Sequence, residues 1–296
     1  MVGGRGRHLV VQGRWLGRLG RLGRMICPGA FLHRFDWMKN GARPMAANMQ
    51  SYSLVLHQDA DPRTGGVAVC GFTTADMVGV IAASHLIKTL GLRQLGTVMH
   101  KDFPAVALIH DEVPKHPVRV YQGDGLGVFT SEIQFGNETD IPFASTVLEW
   151  FTKGGFDRLI IIDGLTRPEK ELSNGELFGV GSTPAARDRL KRLDIEPIQQ
   201  GIVSGITGFL LGEGDRLGID ITALLSEASP MYPDARAAAL AVEAVSDLTG
   251  MEIPLTELLE NARSIEDSVR EIIENASQML PAPNEDDVTD IDPSFG

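Results

Sequence analysis

Cysteine is scarce in this chain of 296 residues, which contains only Cys27 and Cys70. Two cysteines are too few for the disulfide framework of a small secreted domain and too few for a four-thiolate zinc site. Because disulfides persist mainly in oxidising compartments, this composition favours a protein of the reducing cytoplasm. We therefore expect a cytoplasmic protein.

Long apolar runs are also missing from the sequence. No window approaches the ~20 apolar residues that a helix needs to cross a bilayer. Hydrophobic residues nevertheless make up 43% of the chain and charged residues 22%, which is an ordinary globular composition. The sequence predicts a soluble protein with a sizeable core and no membrane partner.

Lysine is scarce as well, with seven residues in the whole chain. The formal net charge is −12, and after residue 44 there are 38 acidic residues against 18 basic ones. A field of this sign repels phosphate backbones, so we expect no nucleic-acid partner for the main body of the protein. An acidic, lysine-poor surface also suits a salt-rich cytoplasm, a hypothesis that predicts a melting temperature rising with molar salt.

Residues 1–44 form a basic N-terminal extension with nine basic residues and a single acid, Asp36. Three interpretations are open. The arginine-rich composition resembles an organelle transit peptide, although glycine stands where serine is usual. The stretch Trp15–Leu22 has the pattern of a basic amphipathic helix, although its glycines disfavour one. We favour the third interpretation, in which the extension is upstream sequence or disordered and the protein starts at Met45 or Met49.

Strand and helix patterns alternate from residue 67 onward. Val67–Phe72 reads as a buried strand, and Thr73-x-x-Asp76 has the spacing of a capping box that opens a helix. Asp140 and Pro142 predict the start of a second helix. Arg158–Asp163 is a continuous apolar run of the kind found in sheets that are covered on both faces. The succession predicts one α/β domain over residues 45–280, with a central mixed sheet flanked by helices.

Further helix starts are predicted at Thr183-Pro184, at Gly205 and at Pro233-Asp234. The last helix is expected to be long, from Leu255 to Leu280. Apolar residues recur along it at alternating spacings of four and three, which forms an a/d seam of about three heptads. The seam serves either a subunit contact or packing along the helix's own domain. The residues that would form such a subunit contact are Leu258, Ile265, Val269, Ile272 and Met279. Residues 281–296, rich in proline and acid, are expected to form a disordered tail.

Several motifs contain residue types found in cofactor, metal or catalytic sites. Gly123–Gly127 superficially resembles a dinucleotide fingerprint but lies between two strands, so we interpret it as a turn. The segment His110–His116 holds metal-ligand types without completing a tetrahedral set, and an exposed loop is the simpler interpretation. His85 is expected to be a packing histidine. Neither Ser182 nor Ser204 lies in a nucleophile elbow, so the sequence predicts no catalytic serine, metal site or cofactor site.

The glycine-rich turn Gly201–Gly208 is a stronger candidate for a ligand. Glycines ahead of a helix expose backbone N–H groups that are able to hold an anion, and Gly205, Thr207 and Gly208 would contribute to such a site. Close packing at the helix entry explains the same glycines, and the nearest basic residue that follows is Arg216. Both interpretations stay open.

Across roughly 210 residues, the order and spacing of many short pieces resemble the archaeal and actinobacterial branch of the proteasome assembly chaperone type-two (PAC2) family. The matching pieces are Gly71-Phe72, Val78-Gly79, Leu86-Ile87, His116-Pro117-Val118, Ser131-Glu132, Trp150, Gly164, Gly181-Ser182-Thr183, Gly205-Ile206-Thr207-Gly208, Leu210-Leu211, Pro233-Asp234 and Ala237-Ala238. The resemblance implies an α/β fold related to nucleoside phosphorylases, a homo-oligomer and no established catalytic residues.

Some archaeal members that resemble this chain end in a hydrophobic–tyrosine–any-residue tripeptide that docks between α subunits of the proteasome core. This chain ends in Ser294-Phe295-Gly296. The penultimate ring of Phe295 and the carboxylate of Gly296 match that pattern, whereas Ser294 is not hydrophobic and Phe295 lacks the hydroxyl. These two last residues are the candidate partner-binding residues.

Two functions therefore compete. The first is a non-enzymatic, homo-oligomeric protein-binding factor that resembles proteasome assembly chaperones and binds proteasome α subunits. The alternative is an enzyme or small-ligand-binding protein on a phosphorylase-like fold, with its pocket at Gly201–Gly208. Fold kinship alone supports the alternative, and fold does not determine function.

Overall fold

A computed structural model describes residues 52–57, 60–61, 65–74, 77–110, 112–134, 137–166, 175–229, 233–260 and 262, which belong to a compact unit spanning 48–296. The helices are α1 (Val78–Thr89), α2 (Asn137–Gly154), α3 (Pro184–Arg192), α4 (Gly205–Leu217) and α5 (Ala235–Thr249). The strands are β1 (Ser53–Leu56), β2 (Val67–Phe72), β3 (Arg93–Met99), β4 (Leu108–His110), β5 (Val113–Lys115), β6 (Val118–Gly123), β7 (Leu126–Ser131), β8 (Arg158–Thr166), β9 (Leu177–Gly181), β10 (Glu196–Pro197) and β11 (Ile221–Ala228).

Nine strands form one mixed sheet in the order β1-β3-β6-β7-β2-β8-β11-β9-β10. The four central strands β7, β2, β8 and β11 run parallel to one another, while β6 and β9 border them in antiparallel orientation. Strands β4 and β5 form a separate two-stranded hairpin. The predicted α/β class with a central mixed sheet is thereby confirmed.

Helices cover both faces of the sheet. Helices α1 and α5 bury their apolar side chains on one face with alternate residues of the central strands, such as Val69 and Ile160. Helices α2 and α4 cover the other face, where Cys70 and Ile161 point. Because successive residues of a strand face opposite sides, a strand buried on both faces is apolar throughout, as Arg158–Asp163 nearly is.

The local signals at helix starts were mostly correct. Thr183 and Asp234 cap α3 and α5, and each side chain accepts a hydrogen bond from the backbone N–H three residues on. The capping box predicted at Thr73 was wrong. Helix α1 begins at Val78 after Met77, which has a left-handed backbone (φ 57°), and the hydroxyl of Thr73 donates instead to the carbonyl oxygen of Ser131 (2.9 Å).

The start predicted for the second helix was also displaced. Helix α2 begins at Asn137 and contains Pro142. Pro142 is the sixth residue of the helix, past the first turn that suits proline, and it removes the backbone hydrogen bond to the carbonyl of Glu138. Strands β9 and β11 were not predicted from the sequence.

The C-terminal helix is described at residues 256–260 and 262. Leu258 and Ala262 are buried in the core that α1 and α5 share, so these two seam positions pack within their own domain. This agrees with the packing alternative at its N-terminal end. The seam residues Ile265, Val269, Ile272 and Met279, the tail residues Phe295 and Gly296, and the basic extension lie outside the described residues.

Candidate functional site

The carboxyl end of the sheet, defined here by the last residues of β2, β7, β8 and β11, is where the candidate features meet. Helices α1 and α2 begin at this end because they follow β2 and β7. Helix α4 also begins there, since Gly205 lies beside the carboxylate of Asp140 in the first turn of α2. In open α/β sheets, ligands bind most often at this end.

A polar network centred on the buried Arg119 ties the β4–β5 hairpin to the carboxyl end of the sheet. The ring Nε2 of His110 lies 2.9 Å from Oε2 of Glu132, directly after β7. The other oxygen of Glu132 accepts from the guanidinium of Arg119, whose side chain is 4% exposed. Arg119 also donates to the hydroxyl of Tyr121 (2.8 Å) and to the carbonyl oxygen of His116 (2.6 Å). The network fixes the hairpin relative to β6 and β7.

Exposed aliphatic side chains collect at the same end. Seven large hydrophobic side chains are exposed in the described part of the chain. Five of them belong to the hairpin region and to the starts of α2 and α4: Val106, Ile109, Val113, Ile141 and Ile202. Single exposed aliphatics are common on protein surfaces, whereas several at one end of the fold form a candidate interaction surface. These five residues are called the aliphatic end from here on.

The turn that leads into α4 is held tightly by its own contacts. Gly205 has a positive φ of 66°, a conformation that glycine adopts without strain. A Cβ on Gly208 would lie 2.1 Å from the carbonyl oxygen of Val203. The hydroxyl of Thr207 donates to Oδ2 of Asp163 (2.7 Å), and the backbone N–H of Gly164 donates to Oδ1 (2.9 Å). The close-packing interpretation therefore explains Gly208 and Thr207.

A cavity of about 670 Å³ lies beside this turn. Its walls come from β8, β9, β11 and the segment Glu196–Ser204, and they include Asp163, Phe178 and Leu225. Gly205, Thr207 and Gly208 do not line it, but Gly201 and Ser204 do. The side chain of Ile202 at its mouth is 96% exposed.

An aromatic cluster lies where β1, β3 and α2 meet. The rings of Tyr52 and His100 stack with centroids 4.1 Å apart, and Phe143 packs edge-on against Tyr52. Burial raises the pKa of the Tyr52 hydroxyl, and burial also raises the pKa of Asp140 nearby. The ring contacts identify the cluster as a packing feature.

The remaining motifs have structural explanations. Asp124 and Gly125, both at positive φ, form the two-residue turn between β6 and β7, as predicted for Gly123–Gly127. His85 is buried and its Nε2 lies 2.8 Å from the carbonyl oxygen of Pro254, which confirms a packing role. The hydroxyl of Ser182 donates to the carbonyl oxygen of Ile219 (2.7 Å). The described residues contain no metal-binding group of three or more His, Cys, Asp or Glu side chains.

None of the described helices combines the length and apolar character that crossing a membrane requires. The profile of the PAC2 family matches residues 68–273, most of the chain and nearly all of the sheet and its helices. The chain belongs to the PAC2 family. The family resemblance noted from the short sequence pieces is thereby confirmed.

Individual PAC2 relatives agree with this assignment. The structure of Pyrococcus furiosus PbaA, an archaeal homolog of proteasome-assembly chaperone, is 26% identical with a TM-score of 0.68, covering 77% of this chain and 94% of PbaA. P. furiosus PbaB, an archaeal proteasome activator, shares the fold at 23% identity and a TM-score of 0.64, over 76% of this chain and 99% of PbaB. An uncharacterized protein of Methanocaldococcus jannaschii is 23% identical over 214 residues, or 72% of this chain and 88% of that protein.

Neither the hairpin network nor the aliphatic end of this PAC2 chain is evident from its sequence pattern. Arg119 lies on β6 and Glu132 follows β7 directly, thirteen residues further along the chain, and only the pairing of β6 with β7 brings them together. The short apolar run Val106–Ile109 was the one available signal. It does not state which side chains remain exposed after folding.

Proposed function

We propose that this chain is a proteasome assembly chaperone-like factor, a homo-oligomer that binds proteasome α subunits and acts by protein recognition without catalysis. PAC2 membership and the likeness to PbaA support the chaperone-like role. The observation that carries the binding part is the aliphatic end, five exposed aliphatic side chains at the carboxyl end of the sheet.

The aliphatic end suits protein recognition for a physical reason. Apolar anchors contribute most to association when they are presented on a rigid support, because little conformational entropy is then lost on binding. The hairpin that carries Ile109 and Val113 is held by the His110–Glu132–Arg119 network. Rim charges such as Lys101 and Lys115 would influence the rate of encounter more than the affinity.

The test measures binding of the full-length chain to purified proteasome α subunits by native mass spectrometry and titration. Ile109→Asp, at a side chain that is 66% exposed, is expected to weaken binding at least about tenfold, because it places a charge in an apolar contact. Leu217→Asp is the matched control, since Leu217 is 50% exposed but ends α4 at the opposite end of the sheet. Equal affinities of both variants and of the unmodified chain would overturn the assignment of the surface.

The C-terminal tail is a separate part of the proposal. Phe295 with the carboxylate of Gly296 would add a second contact on a tether, and tethered contacts multiply affinity through effective concentration. Phe295→Ala is expected to reduce capture of α subunits. Undiminished core-particle binding by that variant would remove the tail from the proposal and leave the aliphatic end to be judged by Ile109→Asp.

The cavity of about 670 Å³ beside the Gly201–Gly208 turn favours a second candidate function, the binding of a small ligand on a phosphorylase-like fold. Its volume is that of an ordinary small-molecule site. Ligands that bind only the folded state raise the melting temperature. Thermal shifts with nucleosides, nucleotides and inorganic phosphate test this function, and no shift at millimolar concentrations counts against it.

A further inference from the structure

In the part of the chain that the structure describes, the nine-stranded sheet ends at β1 on one side and at β10 on the other, and these two edge strands differ in composition. Edge strands expose backbone donors and acceptors, and proteins usually protect them with charges or proline. Strand β10 consists of Glu196 and Pro197, one residue of each protective kind. Strand β1 reads Ser-Leu-Val-Leu and contains neither. From its composition, β1 is an edge suited to pairing.

The backbone of β1 presents a defined pattern to the outside. The N–H of His57 donates to the carbonyl oxygen of Leu95 on β3 (2.8 Å). Because hydrogen-bonding direction alternates along an antiparallel strand, Ser53 and Val55 also direct their backbone groups toward β3. Leu54 and Leu56 therefore direct their N–H and C=O groups outward, away from the sheet.

This pattern is self-complementary. A second β1 strand placed antiparallel about a two-fold axis at Val55 brings Leu54 opposite Leu56 of the second copy, and Leu56 opposite its Leu54. Each of the two pairs exchanges two backbone hydrogen bonds, so all four outward groups on each strand are satisfied. Val55 then faces Val55 of the second copy as a non-hydrogen-bonded pair.

The side chains beside β1 are only partly packed within one copy of the chain. A cavity of about 290 Å³ separates β1 from α2, with Leu54, Thr146, Glu149, Trp150 and Lys153 among its lining residues. Trp150 is 2% exposed, and its indole Nε1 has no hydrogen-bond partner in the described part of the chain. Leu54 and Leu56 face this side, where they pack only partly against the core. A second copy would extend the apolar layer over the cavity.

The charges on this side fit a two-fold arrangement. Glu149 and Lys153 form an ion pair one turn apart on α2. A two-fold axis perpendicular to the sheet sets the second α2 antiparallel on the same face, so the order of acid and base along one helix is reversed along the other. This reversed order is compatible with a second copy, because opposite charges are able to face each other across the axis.

We propose that β1 is a self-association edge, through which two copies of this chain pair antiparallel about Val55 to continue the sheet from one subunit into the next. The proposal rests on the homo-oligomer that the proposed function includes, and it names the surface that forms it. A continuous sheet across a subunit boundary satisfies the backbone of both edges at once.

Site-directed cross-linking of the full-length chain tests the pairing directly, in a Cys27→Ser background so that the buried Cys70 is the only other thiol. Non-hydrogen-bonded pairs have Cα atoms about 4.5 Å apart, within the range that a disulfide spans. Val55→Cys is therefore expected to form a covalent dimer on mild oxidation. Ser53→Cys is the matched control on the same strand face, because its self-pair would be about 14 Å apart in this register.

A dimer from Val55→Cys but not from Ser53→Cys supports the proposal, and equal yields or no dimer from either variant overturn it. Leu54→Pro provides a second test, because its N–H points outward and its loss leaves the β1–β3 bonds intact. Sedimentation analysis should show the dissociation constant of the pair rising roughly thirtyfold, the effect of two hydrogen bonds. An unchanged constant overturns the proposal.

Both tests are made without proteasome subunits. Failure of the β1 pairing therefore leaves the binding of α subunits, measured with Ile109→Asp, to stand or fall separately. Loss of α-subunit binding with intact pairing contradicts the proposed function alone.

Discussion

Arg119 and Glu132 form a salt bridge at the point where β6 begins and β7 ends, with the arginine side chain 4% exposed and the glutamate side chain 16% exposed. The pair connects the sheet to the β4–β5 hairpin, because the second oxygen of Glu132 contacts His110. Positions that look unrelated in the sequence thus hold the surface that is proposed to bind a partner.

Removing one member of this pair should be costly. Arg119→Met is expected to lower the free energy of unfolding by about 3 kcal/mol, because it leaves Glu132 largely buried without its cation. Urea denaturation measures the change. The matched control is Arg216→Met, which removes an arginine that is 64% exposed from its pair with Glu213 and should cost much less. Similar losses for both variants would contradict a special role for the buried pair.

Two glycines should respond to alanine in opposite directions. A Cβ on Gly71 in β2 would lie 2.0 Å from the backbone oxygen of Gly79 in α1, a contact that only backbone movement relieves. Gly71→Ala is therefore expected to destabilise the fold by about 2–3 kcal/mol.

Gly212 provides the control for that variant, because it lies on the exposed side of α4 and its Cβ would meet nothing within 4 Å. Gly212→Ala should stabilise the protein by about 0.5–1 kcal/mol, since alanine has the higher helix propensity. Thermal unfolding of both variants checks the pair, and a stable Gly71→Ala protein would refute the tight β2–α1 contact.

Thr207 tests whether the turn before α4 is structural. Its buried hydroxyl donates to Asp163. Thr207→Val retains the shape and removes the donor, so we expect a loss of about 1–3 kcal/mol in unfolding free energy. Thr207→Ser keeps the hydroxyl and should recover most of that loss. Equal behaviour of valine and serine variants would show that the hydrogen bond contributes nothing measurable.

Cys70 should be unreactive toward thiol reagents in the folded protein. It lies fully buried on β2, and burial raises the pKa of its thiol well above the usual value. The thiolate is the reactive form, so both effects suppress modification. In a Cys27→Ser chain, labelling by a thiol reagent at pH 8 should be roughly a thousandfold or more slower than in denaturant. Labelling at the rate of an exposed thiol would contradict the placement of β2.

Predictions based on neighbouring residues were the most successful. Thr183 before Pro184 and Asp234 before the alanine-rich helix cap their helices as expected, because a cap is a contact between residues three apart. The turn at Gly125 was also predictable, since positive φ selects glycine. The capping box at Thr73 failed because α1 begins only at Val78, after Met77 in a left-handed conformation, and the Thr73 hydroxyl donates to the distant carbonyl of Ser131.

Sequence alone determined the α/β class, the main helix ends and the family resemblance, because propensity, capping and apolar periodicity act over a few residues. Tertiary structure alone decided the strand order, the antiparallel insertion of β9 beside β11, and the placement of Thr207 next to Asp163. It also decided which aliphatic side chains remain exposed at the carboxyl end of the sheet and which strand is left at its edge. These features depend on pairing between residues far apart in the chain, and that pairing is selected by the packing of the whole core rather than by any local pattern.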